Sequence, residues 1–249
     1  MRILLLNPNT TVAVTDRLFE VGVKVAAAGT TLVPLTASRG VPYIATRAEA
    51  QIGGAIVLEV LAERHREFDA AIIAAFGDPG LTGARELFDI PIVGMAESAM
   101  LSACMLGRRF AIVTFAVTLV AWYQECVEAY GLTGRCAGIR MLDGSFVSVS
   151  DVQEEKESQL VELTLRTITE TGADVIIFGG APLAGLAEKV KARIPVPVVD
   201  QVQAAVKMAE ALVALKVRKA TVGTFRRPAA KPTTGLPAAL AARIEHKDL

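Results

Sequence analysis

Four short segments hold the residues of this chain best suited to chemistry: Asn7-Pro-Asn-Thr10, Phe76-Gly-Asp-Pro-Gly-Leu81, Thr114-Phe115 and Phe178-Gly-Gly-Ala-Pro-Leu183. Each stands at the end of an apolar run with β character, and glycine or proline tightens the turn in all but Thr114-Phe115. Backbone N–H groups in such turns, with Asn and Thr side chains beside them, can hold a carboxylate or imide oxygen at the positive end of a helix. An oxyanion that develops there on a ligand carbonyl is stabilised. Asn7, Asn9, Thr10, Phe76, Gly77, Thr114, Phe115, Ala181 and Pro182 are therefore candidate binding residues, together with Ala75 and Gly180 at the mouths of the two glycine turns. Neither Ala75 nor Gly180 can carry a proton. For Asn9, Thr10 and Thr114 a plain helix cap is the alternative.

The remaining reactive side chains are sparse. Asp78 precedes Pro79 in the pattern of a conventional helix start, which reads as an N-cap for the next helix more readily than as an acid. Glu97 is either a base at the lobe interface or a hydrogen-bonding partner of a neighbouring turn. Both are weak catalytic candidates. Cys104, Cys126 and Cys136 lack any CxxC spacing, and Cys104 sits on an apolar helix where a small core residue is expected. With His65 and His246 as the only histidines, no metal centre and no Ser-His-Asp set is expected. Phosphate loops of the GxGxxG or GxxxxGK[ST] type are absent, and no cofactor is expected.

The elements that must position these segments form a duplicated unit. Asp69-Ala-Ala-Ile-Ile-Ala-Ala75 followed by Pro91-Ile-Val-Gly94 is echoed by Asp174-Val-Ile-Ile-Phe-Gly-Gly180 followed by Pro197-Val-Val-Asp200, with offsets of 105 and 106 residues. Strands are expected at Arg2–Leu6, Thr31–Leu35, Ala70–Ala75, Pro91–Val93, Phe110–Thr114, Gly138–Leu142, Val175–Phe178 and Val196–Val199. Between them lie helical stretches, one carrying Val14, Leu18, Val21 and Val25 inward, another running from Asp151 to Thr171 with Val161, Leu165 and Ile168 at helical spacing and Gly172 as its stop. Strands that are apolar throughout suit a parallel sheet covered on both faces. The expected fold is α/β: two similar Rossmann-like lobes with parallel sheets, related by a pseudo-two-fold axis, with a cleft between them. The first lobe takes residues 1–97 plus about 206–249, and the second takes 98–205.

Composition narrows the partners. The chain has 249 residues, 52% of them hydrophobic, and its 26 basic and 26 acidic side chains cancel. That balance removes the electrostatic case for nucleic acid or an anionic membrane. No apolar run reaches the roughly 18 residues needed to cross a bilayer, so a cytoplasmic protein, a small-molecule ligand and a homo-oligomer are expected. From Lys216 onward the tail is basic and punctuated by Pro228, Pro232 and Pro237; a solvated, partly irregular terminus is the reading favoured over an anion-binding arm.

Taken in order and spacing, Asn7-Pro-Asn-Thr10, Phe76-Gly-Asp-Pro-Gly-Leu81, Gly94-Met-Ala-Glu-Ser-Ala99, Arg109-Phe-Ala-Ile-Val-Thr114 and Tyr130-Gly-Leu132 resemble the hydantoin racemase branch of the aspartate/glutamate racemase superfamily. The likeness runs from residue 1 to about 215. It implies two α/β lobes with the active site between them, no cofactor, and two cysteines, one per lobe, that remove and return a Cα proton on opposite faces. Ala75 and Gly180 stand where the resemblance places those cysteines. A decarboxylase branch keeps only the second. The resemblance thus implies a racemase or isomerase acting on a small amino acid, hydantoin or related carboxylate, amide or cyclic imide through an enolate-like intermediate, with its usual acid/base pair missing. A catalytically silent small-molecule binder, or a lyase or hydrolase using Glu97 or Asp78, are the alternatives. Restoring both thiols, Ala75→Cys with Gly180→Cys, is expected to create proton exchange.

Overall fold

A computed structural model of the chain describes residues 1–142 and 151–248. The first half runs β1 (Arg2–Asn7), α1 (Val12–Val25), β2 (Thr31–Thr36), α2 (Arg47–Arg64), β3 (Ala70–Ile73), α3 (Leu81–Leu87), β4 (Ile92–Gly94) and α4 (Met95–Leu106). The second half repeats it with β5 (Phe110–Thr114), α5 (Val117–Ala129), β6 (Cys136–Met141), α6 (Val152–Thr171), β7 (Val175–Phe178), α7 (Leu186–Val190), β8 (Val198–Val199) and α8 (Gln201–Ala214); α9 (Ala238–Ile244) ends the chain.

Two four-stranded parallel sheets result, in the orders β2-β1-β3-β4 and β6-β5-β7-β8. Ile3–Leu6 pair with Ala70–Ile73 in one sheet, and Phe110–Val113 pair with Val175–Phe178 in the other. β3 and β7, apolar at every position, are buried at every position, as a central strand covered on both faces requires. The two aspartates that open the repeats do the same work. Asp69 accepts from the Arg2 N–H at 2.7 Å, and Asp174 accepts from the Arg108 and Arg109 N–H groups at 2.9 Å each, tying the inner strands together at their starts.

The closing helices cross over. α4 follows the first sheet yet packs on β5, β7 and β8, whereas α8 follows the second sheet yet packs on α1, β3 and β4; α4 and α8 also pack on each other. One apolar core consequently runs through both halves, from Ile3 and Ile72 to Ile112 and Ile177. On this exchange we propose the lobe division at 1–97 with about 206–249, and 98–205.

Several local expectations change. α1 starts one residue late, with Thr11 as its N-cap residue and no side-chain cap bond; the Thr11 hydroxyl donates to the Pro42 carbonyl instead, and the Asn9 carboxamide oxygen accepts from the Thr11 N–H. In α6 the buried stripe runs through Leu160, Val161, Leu163, Thr164 and Thr167, and Leu165 points outward at 39% exposure. Gly172, left-handed, ends that helix as expected. The basic tail is only partly a solvated terminus: α9 packs on α2, and Leu240 and Arg243 are buried. Among the described residues no helix is long and apolar enough to cross a membrane.

Candidate functional site

In both sheets the first strand of the half lies between the second and third, so the connections leave in opposite directions from β1/β3 and β5/β7. Ligands of open α/β sheets bind at such switch points, beyond the carboxyl ends of the strands. Those ends are Asn7, Ala74-Ala75, Thr114 and Gly179-Gly180.

The two glycine turns meet at one cavity. Ala75 and Phe76 line it from the first half and Ala181 from the second, with Asn9, Tyr43, Ile44, Trp122 and Tyr123 completing the wall. Sequence reasoning missed Tyr43, Ile44, Trp122 and Tyr123. Its volume is about 10 Å³, room for a single water molecule at most. Aromatic rings account for the closure: Phe76 meets Tyr123 edge-on at 4.7 Å, Tyr123 lies 5.8 Å from Trp122, and Tyr43 lies 5.9 Å from Phe115.

The polar equipment of the turns is mainly backbone. The N–H groups of Ala75, Phe76 and Gly77 on one side, and of Gly180 and Ala181 on the other, donate to no group among the described residues. Buried N–H groups are otherwise almost always paired. Asn9 borders the same space; its Oδ1 accepts from Asn7 Nδ2 at 3.0 Å and Thr11 N at 2.9 Å, and its side-chain NH₂ donates to no group among the described residues. Asn7 is buried behind it as a support, with Nδ2 also donating to Thr15 Oγ1 at 2.9 Å. Thr10 is held by its N–H to the Val41 carbonyl, which fixes the loop carrying Tyr43. Thr114 and Phe115 are buried, and Pro182 sits inside the short 3-10 turn Ala181–Leu183.

Gly180 is constrained. Its backbone, at φ 117° and ψ 131°, occupies a region that side chains rarely adopt. A Cβ there would stand 2.7 Å from Phe115 Cε1 and 3.5 Å from the Tyr123 hydroxyl. The Gly180 carbonyl accepts from Gln201 Nε2, which anchors the turn to the start of α8. A thiol restored at 180 would strain the backbone and require the Phe115 ring to move.

Two carboxylates lie near the turns, and both are committed. Asp78 does not cap α3, whose N-cap is the left-handed Gly80. It reaches across instead to the N-terminus of α4, accepting from Ala96 N at 2.9 Å, Glu97 N at 2.8 Å and the Tyr130 hydroxyl at 2.7 Å. Burial pushes its pKa up to about 6 against the pull of those three donors. Glu97 forms a two-pronged ion pair with Arg85, and neither it nor Asp78 lines the cavity.

Thiols are no better placed. Cys126, with Sγ 3.6 Å from the Gly77 carbonyl, is pushed up to about 12 by burial and by Asp78 beside it, and lies outside the cavity wall. Burial also raises Cys136. Hydroxyls are what the cavity holds. Burial raises the Tyr43 and Tyr123 phenols well above their ordinary value, and the buried Thr114 hydroxyl has no hydrogen-bond partner among the described residues.

Comparison with known proteins gives a consistent answer. The family model described as Asp/Glu/Hydantoin racemase matches residues 3–209. A protein named hydantoin racemase from Paenarthrobacter aurescens is 32% identical over 93% of this chain and 99% of its own. The solved allantoin racemase from Klebsiella pneumoniae superposes with a TM-score of 0.90 at 34% identity, covering 96% of this chain and 98% of that one. The allantoin racemase from Pseudomonas fluorescens gives a TM-score of 0.86, also at 34% identity, over 94% of this chain and all of that one.

Proposed function

The chain belongs to the Asp/Glu/hydantoin racemase family, and from that membership we propose that it binds a small cyclic ureide, amide or related carboxylate between its two glycine turns. Hydantoin and allantoin, the compounds in the relatives' names, are the leading candidates. The observation that carries this reading is the set of uncommitted N–H groups at Ala75, Phe76, Gly77, Gly180 and Ala181 beside the Asn9 amide. Donors aimed at a carbonyl that becomes an enolate oxygen lower the barrier to C–H cleavage, whichever group moves the proton.

Two-thiol inversion is not part of the proposal, since positions 75 and 180 carry no acid or base. Proton transfer falls to Tyr123, whose hydroxyl stands 3.5 Å from where a Cβ on residue 180 would be. Burial keeps most of the phenol neutral; the small fraction present as phenolate takes the C5 proton to give the enolate, the phenol so formed exchanges with solvent, and it returns a deuteron to the same face of C5 as it reverts to phenolate. Exchange on one face leaves configuration unchanged. Missing one wall's acid/base group costs on the order of 10² to 10⁴ in rate, so turnover is slow.

The test is NMR in D₂O with the separate enantiomers of allantoin and 5-substituted hydantoins, alongside calorimetric binding. Protein-dependent deuteration at C5 with retained configuration supports the proposal. Binding with no deuteration favours the second reading, a silent binder, which the missing proton carriers at 75 and 180 also fit. No binding of any of these compounds removes the ligand class.

A further inference from the structure

Trp122 belongs to two spaces at once. On one side its ring helps to close the cavity of about 10 Å³ between the turns. On the other it borders an open groove of about 430 Å³ whose walls include Gly54, Leu58, Gly77, Pro79 and Gly80. Ligand pockets generally run to about 300–1,000 Å³. The cavity alone is far below that range, and the groove lies within it.

The way the ring is held decides what can move. Its indole N–H donates to no group among the described residues, so packing alone fixes it at 7% exposure. It rests on Gly77, at φ 121°, where any Cβ would overlap the ring. The bare backbone of that turn is what lets the indole pack so close to it while lining the cavity. The helix that carries it is better secured: Glu125 on α5 takes a two-pronged ion pair from Arg47 on α2, with Arg47 Nε 2.8 Å from both oxygens, and Tyr130 at its end binds Asp78. No side-chain hydrogen bond of the ring opposes its rotation, while α5 itself is tied at these two points.

We propose that Trp122 is the specificity-determining gate of this site: its ring swings into the groove, joins groove and cavity into one pocket, and sets the size of substituent that the pocket accepts. Opening exchanges contacts with Ala75, Phe76 and Tyr123 for contacts with the groove wall. The ligand enters between the Gly77–Gly80 turn and α5. Only the identity of the ligand rests on the function proposed above; the gate itself rests on the two spaces that share one ring.

Trp122 is the single tryptophan of the chain, which makes the experiment direct. The full-length protein is labelled with 5-fluorotryptophan, and ¹⁹F relaxation dispersion is recorded alone and with 5-methylhydantoin or allantoin, while calorimetry reports binding independently. The expected result is dispersion without ligand and a saturable shift to a second resonance with it. In Trp122→Ala, confirmed as folded by circular dichroism, affinity for 5-benzylhydantoin relative to 5-methylhydantoin rises at least tenfold. A sharp, dispersion-free resonance that ligand leaves unmoved overturns the gate, whether or not the ureide binds. Dispersion in a protein that binds no ureide upholds the gate and removes the ligand class instead. An unchanged benzyl-to-methyl preference in a folded Trp122→Ala overturns the size-selecting role.

Discussion

Tyr123 presents its hydroxyl to the place that a side chain on Gly180 would occupy, 3.5 Å from the position of that missing Cβ. In the proposed reaction the second wall of the cleft therefore carries its proton on α5 rather than on the turn. Replacing Tyr123 with Phe removes the oxygen and keeps the ring that packs on Phe76. Deuterium exchange at C5 of a bound ureide should fall at least 10²-fold, with the dissociation constant changed by less than about threefold. Equal loss of binding and exchange would reduce Tyr123 to a wall of the pocket.

The two turn positions should respond unequally to thiols. Ala75→Cys adds one sulfur beside a small cavity at an ordinary backbone conformation and is expected to cost about 1 kcal/mol in packing. Gly180→Cys forces a side chain into a left-handed backbone and against Phe115, at a cost of about 1–3 kcal/mol for the backbone alone. Urea denaturation of the two variants measures the difference. Similar stabilities would mean that residue 180 relaxes to an ordinary conformation.

Asp78 gives the fold a pH signature. Its pKa rises from an ordinary 3.8 to about 6 through burial, so the folded state binds a proton there more tightly than the unfolded chain does. For an acid raised in this way, its own contribution to stability is greatest below about pH 4, falls as pH rises towards 6, and is level above that; the change is on the order of 3 kcal/mol. Asp78→Asn should flatten the difference between variant and wild type outside this window and remove the slope within it. Removing the Tyr130 hydroxyl, which favours the ionised form, should shift the window upward. Unfolding free energies at half-unit pH steps provide the check, and parallel profiles would contradict it.

Arg243 fastens the tail to the first half. Buried, it donates to the Leu87 carbonyl at 2.9 and 2.8 Å and to Asp89 and Asp248 at 2.8 Å each, with its guanidinium 5.5 Å from the centre of the Phe88 ring. Arg243→Ala leaves a buried carbonyl and the Asp248 carboxylate without that partner, at a cost of about 3 kcal/mol. Denaturant midpoints will show it; a loss below about 1 kcal/mol would make the tail an accessory.

What could be read from the chain follows the range of the physics involved. β5 and β7 are found at their expected bounds because short apolar runs are local signals, and the duplication shows as the near-equal spacing, one residue apart, of Asp69/Pro91 and Asp174/Pro197. Glycine turns announce themselves in the same way. The aromatic wall does not, since Tyr43 comes from an irregular loop and Trp122 and Tyr123 from an apolar helix, where such residues read as ordinary core. Asp78 looked like a local cap because Pro79 follows it, but its partners Ala96, Glu97 and Tyr130 are 18 to 52 residues away. The packing of α9 was hidden by a tail whose composition is that of an exposed end. Leu165 shows that helical spacing alone leaves the buried face uncertain by one position.

Backbone amide spectra would test the central claim, that both glycine turns grip one small ligand. In ¹H–¹⁵N correlation spectra of the full chain titrated with allantoin or 5-methylhydantoin, the amides of Phe76, Gly77, Gly180 and Ala181 should shift together along one saturation curve. Shifts confined to one half, or a bound ureide that leaves all four unmoved, would contradict it.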